Sequence, residues 1–224
     1  MLTILLHILF LLIAVASSYA SASAVEKKPV IVGPGSIIWS STYSNGVKWF
    51  VLDGEQSNTI LPRGNKFEGN WTGETSSVTY RNDDQNHHGD DDGYDDHDQG
   101  ASVGIRTELF SPPKNASSCS GFSMTLTGDG QRYKFVTRDP TAWDGIAWSA
   151  PFNTTAGVQI VIRIPFRKLV PVIRISSVKI FQPFNSKRIR DVQLTLSEIE
   201  YYGVLNPSFL AGPFHLMLSQ ISFY

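Results

Sequence analysis

Apolar residues recur at every second position along most of this chain, and this period decides its class of fold. In one stretch, the apolar Val103, Ile105 and Leu109 alternate with the charged Arg106 and Glu108. A two-residue period places alternate side chains on opposite faces of a β-strand, whereas a helix repeats every three to four residues. The same alternation occurs at Phe122/Met124/Leu126, Tyr133/Phe135, Val158/Ile160/Ile162/Ile164, Val192/Leu194/Leu196 and Phe214/Leu216/Leu218. The chain is therefore predicted to be all-β.

The number of these stretches predicts two layers. Eight or more short strands, separated by Gly, Pro, Asn and Asp, each carry one apolar face. A single open sheet would leave that face in water, so we predict a β-sandwich of jelly-roll type. The chain has 224 residues, of which 42% are hydrophobic and 17% are charged. That is enough apolar material for the core of one domain.

The amino terminus has the pattern of a secretory signal peptide, predicted over residues 1–24. Its apolar run is shorter than the about 20 residues of a membrane span and leads into Ala20-Ser-Ala22-Ser-Ala24, which offers A-x-A cleavage sites. No Lys or Arg precedes the run, so an uncleaved anchor stays open as the alternative. We expect the secretory pathway or the extracellular space, with no stable membrane span after cleavage. Three sequons at Asn70, Asn115 and Asn153 are candidate glycosylation sites.

Residues 82–99 have a different composition, with eight Asp, three His and no aliphatic side chain. Such a segment cannot contribute to a core, so we predict an inserted loop. Carboxylates and imidazoles are metal ligands, which makes His87, His88 and His97 weak candidates for cation binding. The spacing matches no calcium loop, because His88 would stand where an EF-hand needs Asp. A solvated loop that folds back on a basic body is the alternative.

The rest of the chain is basic. Eight of the 20 acidic side chains lie in residues 82–99, which leaves 12 acidic against 19 basic ones elsewhere. Residues 145–190 contain no Asp or Glu. Their basic residues are Arg163, Arg167, Lys168, Arg174, Lys179, Lys187, Arg188 and Arg190. We predict a basic patch that binds a protein partner of unknown identity. The net charge of −1 argues against a nucleic acid as the partner.

No motif indicates an enzyme. The sequence lacks a G-x-S-x-G elbow, and the single cysteine, Cys119, has no neighbouring histidine. His215 stands at an outward position of an alternating stretch, so we expect it on a sheet surface. Glu198 and Glu200 have a spacing that a glycosidase could use in principle, but we interpret them as a solvated strand end. We predict no catalysis and no cofactor.

Five tryptophans provide the basis for a second hypothesis. Most aromatic residues of a sandwich are core residues. Trp143 and Trp148 lie in a turn-rich stretch, so we expect them to be exposed, where they could stack on sugar rings. A secreted carbohydrate-binding module, with a glycan as the partner, is therefore the alternative to a protein-binding module.

Several short sequence motifs occur together in a defined order. They are Phe67-Glu-Gly69, Gly100-Ala-Ser-Val-Gly-Ile-Arg106, Gly121-Phe-Ser-Met-Thr-Leu-Thr-Gly-Asp-Gly-Gln-Arg-Tyr133, Phe152-Asn-Thr154, Ile164-Pro-Phe166 and Phe214-His-Leu216-Met-Leu218. In this order, residues 36–224 resemble the complex I intermediate-associated protein 30 family.

The resemblance implies a galactose-binding-like jelly-roll fold and a chaperone-like role in the assembly of a protein complex. It implies no catalytic residues. Mitochondrial or plastid location is the alternative that the family suggests, whereas the predicted leader directs this chain to the secretory pathway.

Overall fold

The computed structural model describes residues 27–43, 46–53, 57–60, 67–76, 101–139, 145–173, 176–177, 183–200 and 204–224. The segment 82–99, with His87, His88 and His97, lies outside the described residues, and so do the predicted leader, Trp143, Arg174 and Lys179. The predictions made for them remain predictions.

The described residues form fifteen β-strands. These are β1 (Val30–Ile31), β2 (Ile37–Ser40), β3 (Trp49–Asp53), β4 (Ser57–Ile60), β5 (Asn70–Thr75), β6 (Ser102–Thr107), β7 (Lys114–Asn115), β8 (Gly121–Thr127), β9 (Arg132–Arg138), β10 (Ala147–Asn153), β11 (Gln159–Pro165), β12 (Val170–Ile173), β13 (Ser176–Ser177), β14 (Asp191–Ser197) and β15 (Gly212–Phe223). A single 3₁₀ turn is found in the same ranges, at Phe166–Lys168. They contain no helix with the length and apolarity that a membrane span requires.

The strands pair into two main sheets that pack face to face. The seven-stranded sheet has the order β13-β12-β10-β9-β14-β6-β3. The six-stranded sheet has the order β11-β8-β15-β5-β4, and β2 pairs with the last residues of β15. Non-consecutive neighbours such as β8 and β15 are typical of a jelly roll. The predicted all-β sandwich of jelly-roll, galactose-binding-like type is confirmed.

The core lies between the two sheets and follows the period-two pattern. On β9, Tyr133 and Phe135 point inward, and the rings of Phe135 and Phe122 lie 4.6 Å apart across the two layers. Val192, Leu194 and Leu196 on β14 are likewise buried. The stretch that ends in β11 is less buried than predicted: Ile160 and Ile162 are half-buried, and Val158, just before the strand, is exposed. The reason is that β11 is the edge strand of its sheet and has a single neighbour, β8.

The Gly-Asp-Gly turn between β8 and β9 ties both sheets together. The Asp129 carboxylate accepts hydrogen bonds from the Tyr133 hydroxyl (2.9 Å) and from the backbone N–H of His215 on β15 (3.0 Å). Gly130 has a φ of 96°, a value that favours glycine. A Cβ on Gly128 would collide with the Thr154 side chain. The turn therefore needs both glycines for the carboxylate to reach its donors.

Candidate functional site

The exposed basic side chains predicted from the sequence lie at one end of the sandwich. Two segments carry them: the end of β11 with the 3₁₀ turn, and the stretch before β14. Their aromatic residues Phe166 and Phe184 pack together with ring centroids 5.4 Å apart. Phe184 also contacts the Trp148 ring at 5.6 Å. These contacts bring residues that are about 20 positions apart in sequence onto one surface.

A third segment, around β7, joins the same end. Lys114 and Ile189 exchange two backbone hydrogen bonds of 2.9 Å. We call the combined surface the basic end, and it consists of Lys114, Arg163, Arg167, Lys168, Lys187, Arg188 and Arg190. Arg163, Arg167, Lys168 and Lys187 are exposed, and the other three are half-buried. The Arg163 guanidinium also lies 5.3 Å above the Tyr224 ring.

The opposite end of the sandwich holds acidic side chains. Asp129 lies in the β8–β9 turn there, and Glu198 and Glu200 follow β14. The Glu200 carboxylate pairs with Arg132 at 2.7 Å. The basic end also contains the carboxylate of Asp139, which accepts a hydrogen bond from the Asn185 backbone N–H (3.0 Å). Its four exposed arginines and lysines outnumber this carboxylate, which favours an acidic partner there.

A buried polar network on the outer face of the seven-stranded sheet was not predicted. Arg106 on β6 donates through Nε to the Gln193 side-chain oxygen (2.8 Å), which also accepts from Arg138 (3.1 Å). The Arg138 guanidinium pairs with the Asp191 carboxylate at 3.3 Å. The two-residue period places these residues on the side of the sheet away from the core, so the sequence alone predicts that they are exposed to solvent.

Burial shifts the pKa values in this network. Desolvation, together with the positive charge of Arg138, lowers the pKa of Arg106 to about 10. Burial raises the pKa of Asp191, and the two guanidiniums oppose that rise. Because both arginines and Asp191 are buried, they do not offer an accessible binding surface.

Lys134 lies on the outer face of β9, near the end of the sandwich that holds Glu198 and Glu200. Its ammonium group donates to the backbone carbonyls of Ile199 (2.9 Å) and Glu200 (3.2 Å). Burial lowers its pKa to about 8, against the opposing effect of Glu200. The residue anchors the chain that leaves β14.

The expected exposure of Trp148 is wrong. Its side chain is 5% exposed and lies inside the sandwich, with Nε1 3.3 Å from the Asp139 carboxylate. The reason is register: Trp148 pairs with Thr137, so both point to the core. Trp39, Trp49 and Trp71 are buried as well. None of these four tryptophans can stack on a sugar from solution.

The other candidate residues, His215, Glu198 and Cys119, make contacts within the fold. His215 is exposed on the outer face of the six-stranded sheet, as expected, and its ring bonds the Asn70 side chain at 2.7 Å. Glu198 is not solvated: it is buried and accepts from the Ala101 backbone N–H. The half-buried thiol of Cys119 lies 3.8 Å from the Val32 carbonyl.

The sequon asparagines differ in accessibility. Asn70 and Asn153 are exposed, although each side-chain oxygen accepts a hydrogen bond, from His215 and from Arg132 respectively. Asn115 is half-buried in β7. In the part of the chain that the structure describes, no three His, Cys, Asp or Glu residues are placed to hold a metal ion.

The two-sheet architecture defines a galactose-binding-like jelly roll, and sequence comparison adds a family. The model of the complex I intermediate-associated protein 30 family matches residues 70–218. The chain belongs to this family. Among curated protein sequences, none matches the chain.

Solved structures with a similar fold include carbohydrate-binding modules. One is the family 11 carbohydrate-binding module of the cellulosomal cellulase Lic26A-Cel5E of Clostridium thermocellum, with 12% identity and a TM-score of 0.50 over 85% of this chain and 96% of that one. Another is a family 11 module of the same organism in complex with a β-1,3-1,4-mixed-linked tetrasaccharide, with 11% identity and a TM-score of 0.51 over 83% and 93%. At this identity the likeness concerns the fold.

Proposed function

We propose that this protein is a non-enzymatic module that binds another protein through its basic end and assists the assembly of a protein complex. The observation that carries the proposal is the convergence of three chain segments on the basic end, which includes the exposed Arg167, Lys168 and Lys187. Membership in a family named for a protein associated with an intermediate of complex I supports a role in assembly.

The compartment is part of the proposal. The signal-peptide pattern of residues 1–24 supports a function in the secretory pathway or outside the cell. A carboxy-terminal fluorescent fusion of the full chain should label that pathway. Accumulation in mitochondria or plastids would contradict this part of the proposal and leave the binding mode to be tested separately.

Carbohydrate binding is the second candidate. It is supported by the fold of the family 11 modules, one of which holds a tetrasaccharide. The burial of Trp39, Trp49, Trp71 and Trp148 weighs against it, because stacking needs an open ring face. Protein binding therefore has the stronger structural support.

The decisive experiment is partner capture with charge variants. The double variant Arg167→Gln/Lys168→Gln removes two exposed positive charges at the basic end. Val158→Glu/Gln159→Glu is the matched control, since it changes the net charge equally at two exposed positions at the start of β11, away from the basic end. We expect the first variant to weaken capture about three- to ten-fold and the control to leave it unchanged.

Salt provides the second arm. Raising the ionic strength from about 0.1 M to about 1 M shortens the Debye length from about 10 Å to about 3 Å, so capture should weaken. If the captured proteins, identified by mass spectrometry, change with neither salt nor Arg167→Gln/Lys168→Gln, the basic end is not the binding surface. Saturable binding on a glycan array by the same protein would then favour the second candidate.

A further inference from the structure

A pocket of about 290 Å³ opens beside the basic end. It lies between Gly46 and Val47, which precede β3, and residues 108–112 with Lys114, which follow β6. Val47, Leu109, Phe110 and Pro112 provide apolar walls. The volume is at the lower limit of the about 300–1,000 Å³ found for pockets that hold drug-sized ligands. The pocket has room for one bulky side chain and not for an extended oligosaccharide.

The pocket is continuous with the basic end. The backbone N–H of Phe110 donates to the Arg190 carbonyl (2.6 Å), and that of Lys114 donates to the Ile189 carbonyl (2.9 Å). The wall of the pocket is thus hydrogen-bonded to the segment that carries Arg188 and Arg190. A chain that crosses the basic end would meet the pocket mouth directly.

The charges at the mouth favour an acidic neighbour for the bound side chain. Lys114 belongs both to the pocket lining and to the basic end, and its ammonium group lies 5.7 Å from the Phe110 ring centroid. Glu108 also lines the pocket, and its backbone N–H donates to the carbonyl of the exposed Lys48. Glu108 and Lys114 are the charged residues of the lining. Backbone hydrogen bonds place the chain at Lys48 and at Arg190 next to it, so basic residues outnumber the one glutamate in this part of the chain.

We propose that this pocket receives a bulky apolar side chain, such as phenylalanine, from an acidic segment of the protein partner. The proposal rests on the proposed function, because it names the chemistry of the segment that the basic end binds. The apolar side chain provides the anchor, and the flanking carboxylates interact with Lys114 and the adjacent arginines. Anchors that fill a desolvated pocket within a charged rim are typical of interface hot spots.

A defined peptide tests the proposal on the full chain. The probe is a fluorescein-labelled Gly-Asp-Glu-Phe-Glu-Asp amide, followed by anisotropy, with two analogues: one with Ala for Phe, and one with Lys for each acidic residue. We expect the Ala peptide to bind about ten- to hundred-fold more weakly, as the loss of a buried ring requires. The Lys peptide should not bind.

Two variants connect this binding to the pocket. Leu109→Trp fills the pocket and should reduce the preference for Phe over Ala at least about ten-fold, whereas Val161→Trp, on an outward position that is 61% exposed, is the matched control. Lys114→Gln should weaken both acidic peptides but keep the preference for Phe. This second variant tests the charge even if Leu109→Trp fails to fold. Amide shifts of Val47 and Phe110 on titration of the Phe peptide should locate the site.

The outcomes separate this proposal from the proposed function. If Phe and Ala peptides bind equally, and both are weakened by Arg167→Gln/Lys168→Gln, the pocket proposal is overturned and binding by the basic end is retained. If the Lys peptide binds as well as the acidic ones, the charge preference fails and both proposals are wrong. A Phe preference that Leu109→Trp abolishes and Val161→Trp preserves confirms the pocket.

Discussion

At the scale of the residue, Lys134 shows how desolvation changes the pKa of a charged side chain that strand geometry places in a poorly solvated position. Its position on the outer face of β9 follows from period two, since Tyr133 and Phe135 on either side point to the core. Desolvation lowers its pKa to about 8, even though Glu200 acts in the opposite direction. The two backbone carbonyls that accept hydrogen bonds from its ammonium group explain why a lysine is nevertheless tolerated there.

This pKa shift predicts a pH dependence of stability. Between pH 8 and 10.5, the unfolded lysine holds its proton more strongly than the folded one, so the free energy of unfolding contributed by Lys134 rises with pH. The full rise is of the order of 3 kcal/mol. Denaturant titrations of the wild type and of Lys134→Met at pH 7.5 and 10 measure the difference. We expect the variant to lose this rise; identical pH profiles would contradict the pKa assignment.

Residue positions on strands were predictable where burial follows alternation alone. The outward position of His215 is confirmed. The exposure of Trp148 was mispredicted because the turn-rich stretch around it contains β10, whose pairing with β9 directs the ring into the core. The buried set Arg106, Arg138 and Asp191 was missed for the converse reason: a polar residue at an outward position carries no sequence signal for burial.

At the scale of the element, β9 and β11 differ in burial because one is a central strand and the other an edge strand. β9 lies between β10 and β14 and is covered by the opposite sheet, whereas β11 is bonded to β8 alone. An edge strand has fewer neighbours, so its apolar side chains are less completely buried. The same period-two pattern therefore contributes less to the free energy of unfolding on β11 than on β9.

We predict that Phe135→Ala and Ile162→Ala differ in their effect on stability. Phe135 has no exposed surface, and its truncation should cost about 3–5 kcal/mol of unfolding free energy. Ile162 is half-buried, and its truncation should cost less than about 2 kcal/mol. Val161→Ala, which points outward on β11, is the control and should be close to neutral. Urea titration measures all three, and equal costs for Phe135 and Ile162 would show that the assigned burial is wrong.

At the scale of the whole molecule, charge is distributed unevenly along the chain. Residues 82–99 contain eight aspartates, whereas the basic end gathers cations from three segments. The acidic segment also lacks any aliphatic side chain. It is therefore expected to affect binding more than folding.

We predict that replacing residues 82–99 with a short Gly/Ser bridge changes the free energy of unfolding by less than about 1 kcal/mol, because loop-closure entropy varies slowly with length. On the hypothesis that the eight aspartates of this segment compete with the partner for the basic end, the same deletion should strengthen capture of an acidic partner at low salt. An 18-residue Gly/Ser replacement is the length-matched control and should behave alike. Loss of the β-sheet circular dichroism signal on deletion would contradict the first part, and unchanged capture the second.

The sequence by itself determined the all-β class, the inward positions of β8, β9, β14 and β15, and the family. The physical reason is that strand alternation is local: each side chain's face follows from its immediate neighbours. Only the tertiary structure decided that Arg163 and Arg188 share one end, that Trp148 is buried, and that Arg106 meets Gln193 across 87 positions of sequence. Those facts depend on strand order and on pairing between distant segments, which a two-residue period does not specify.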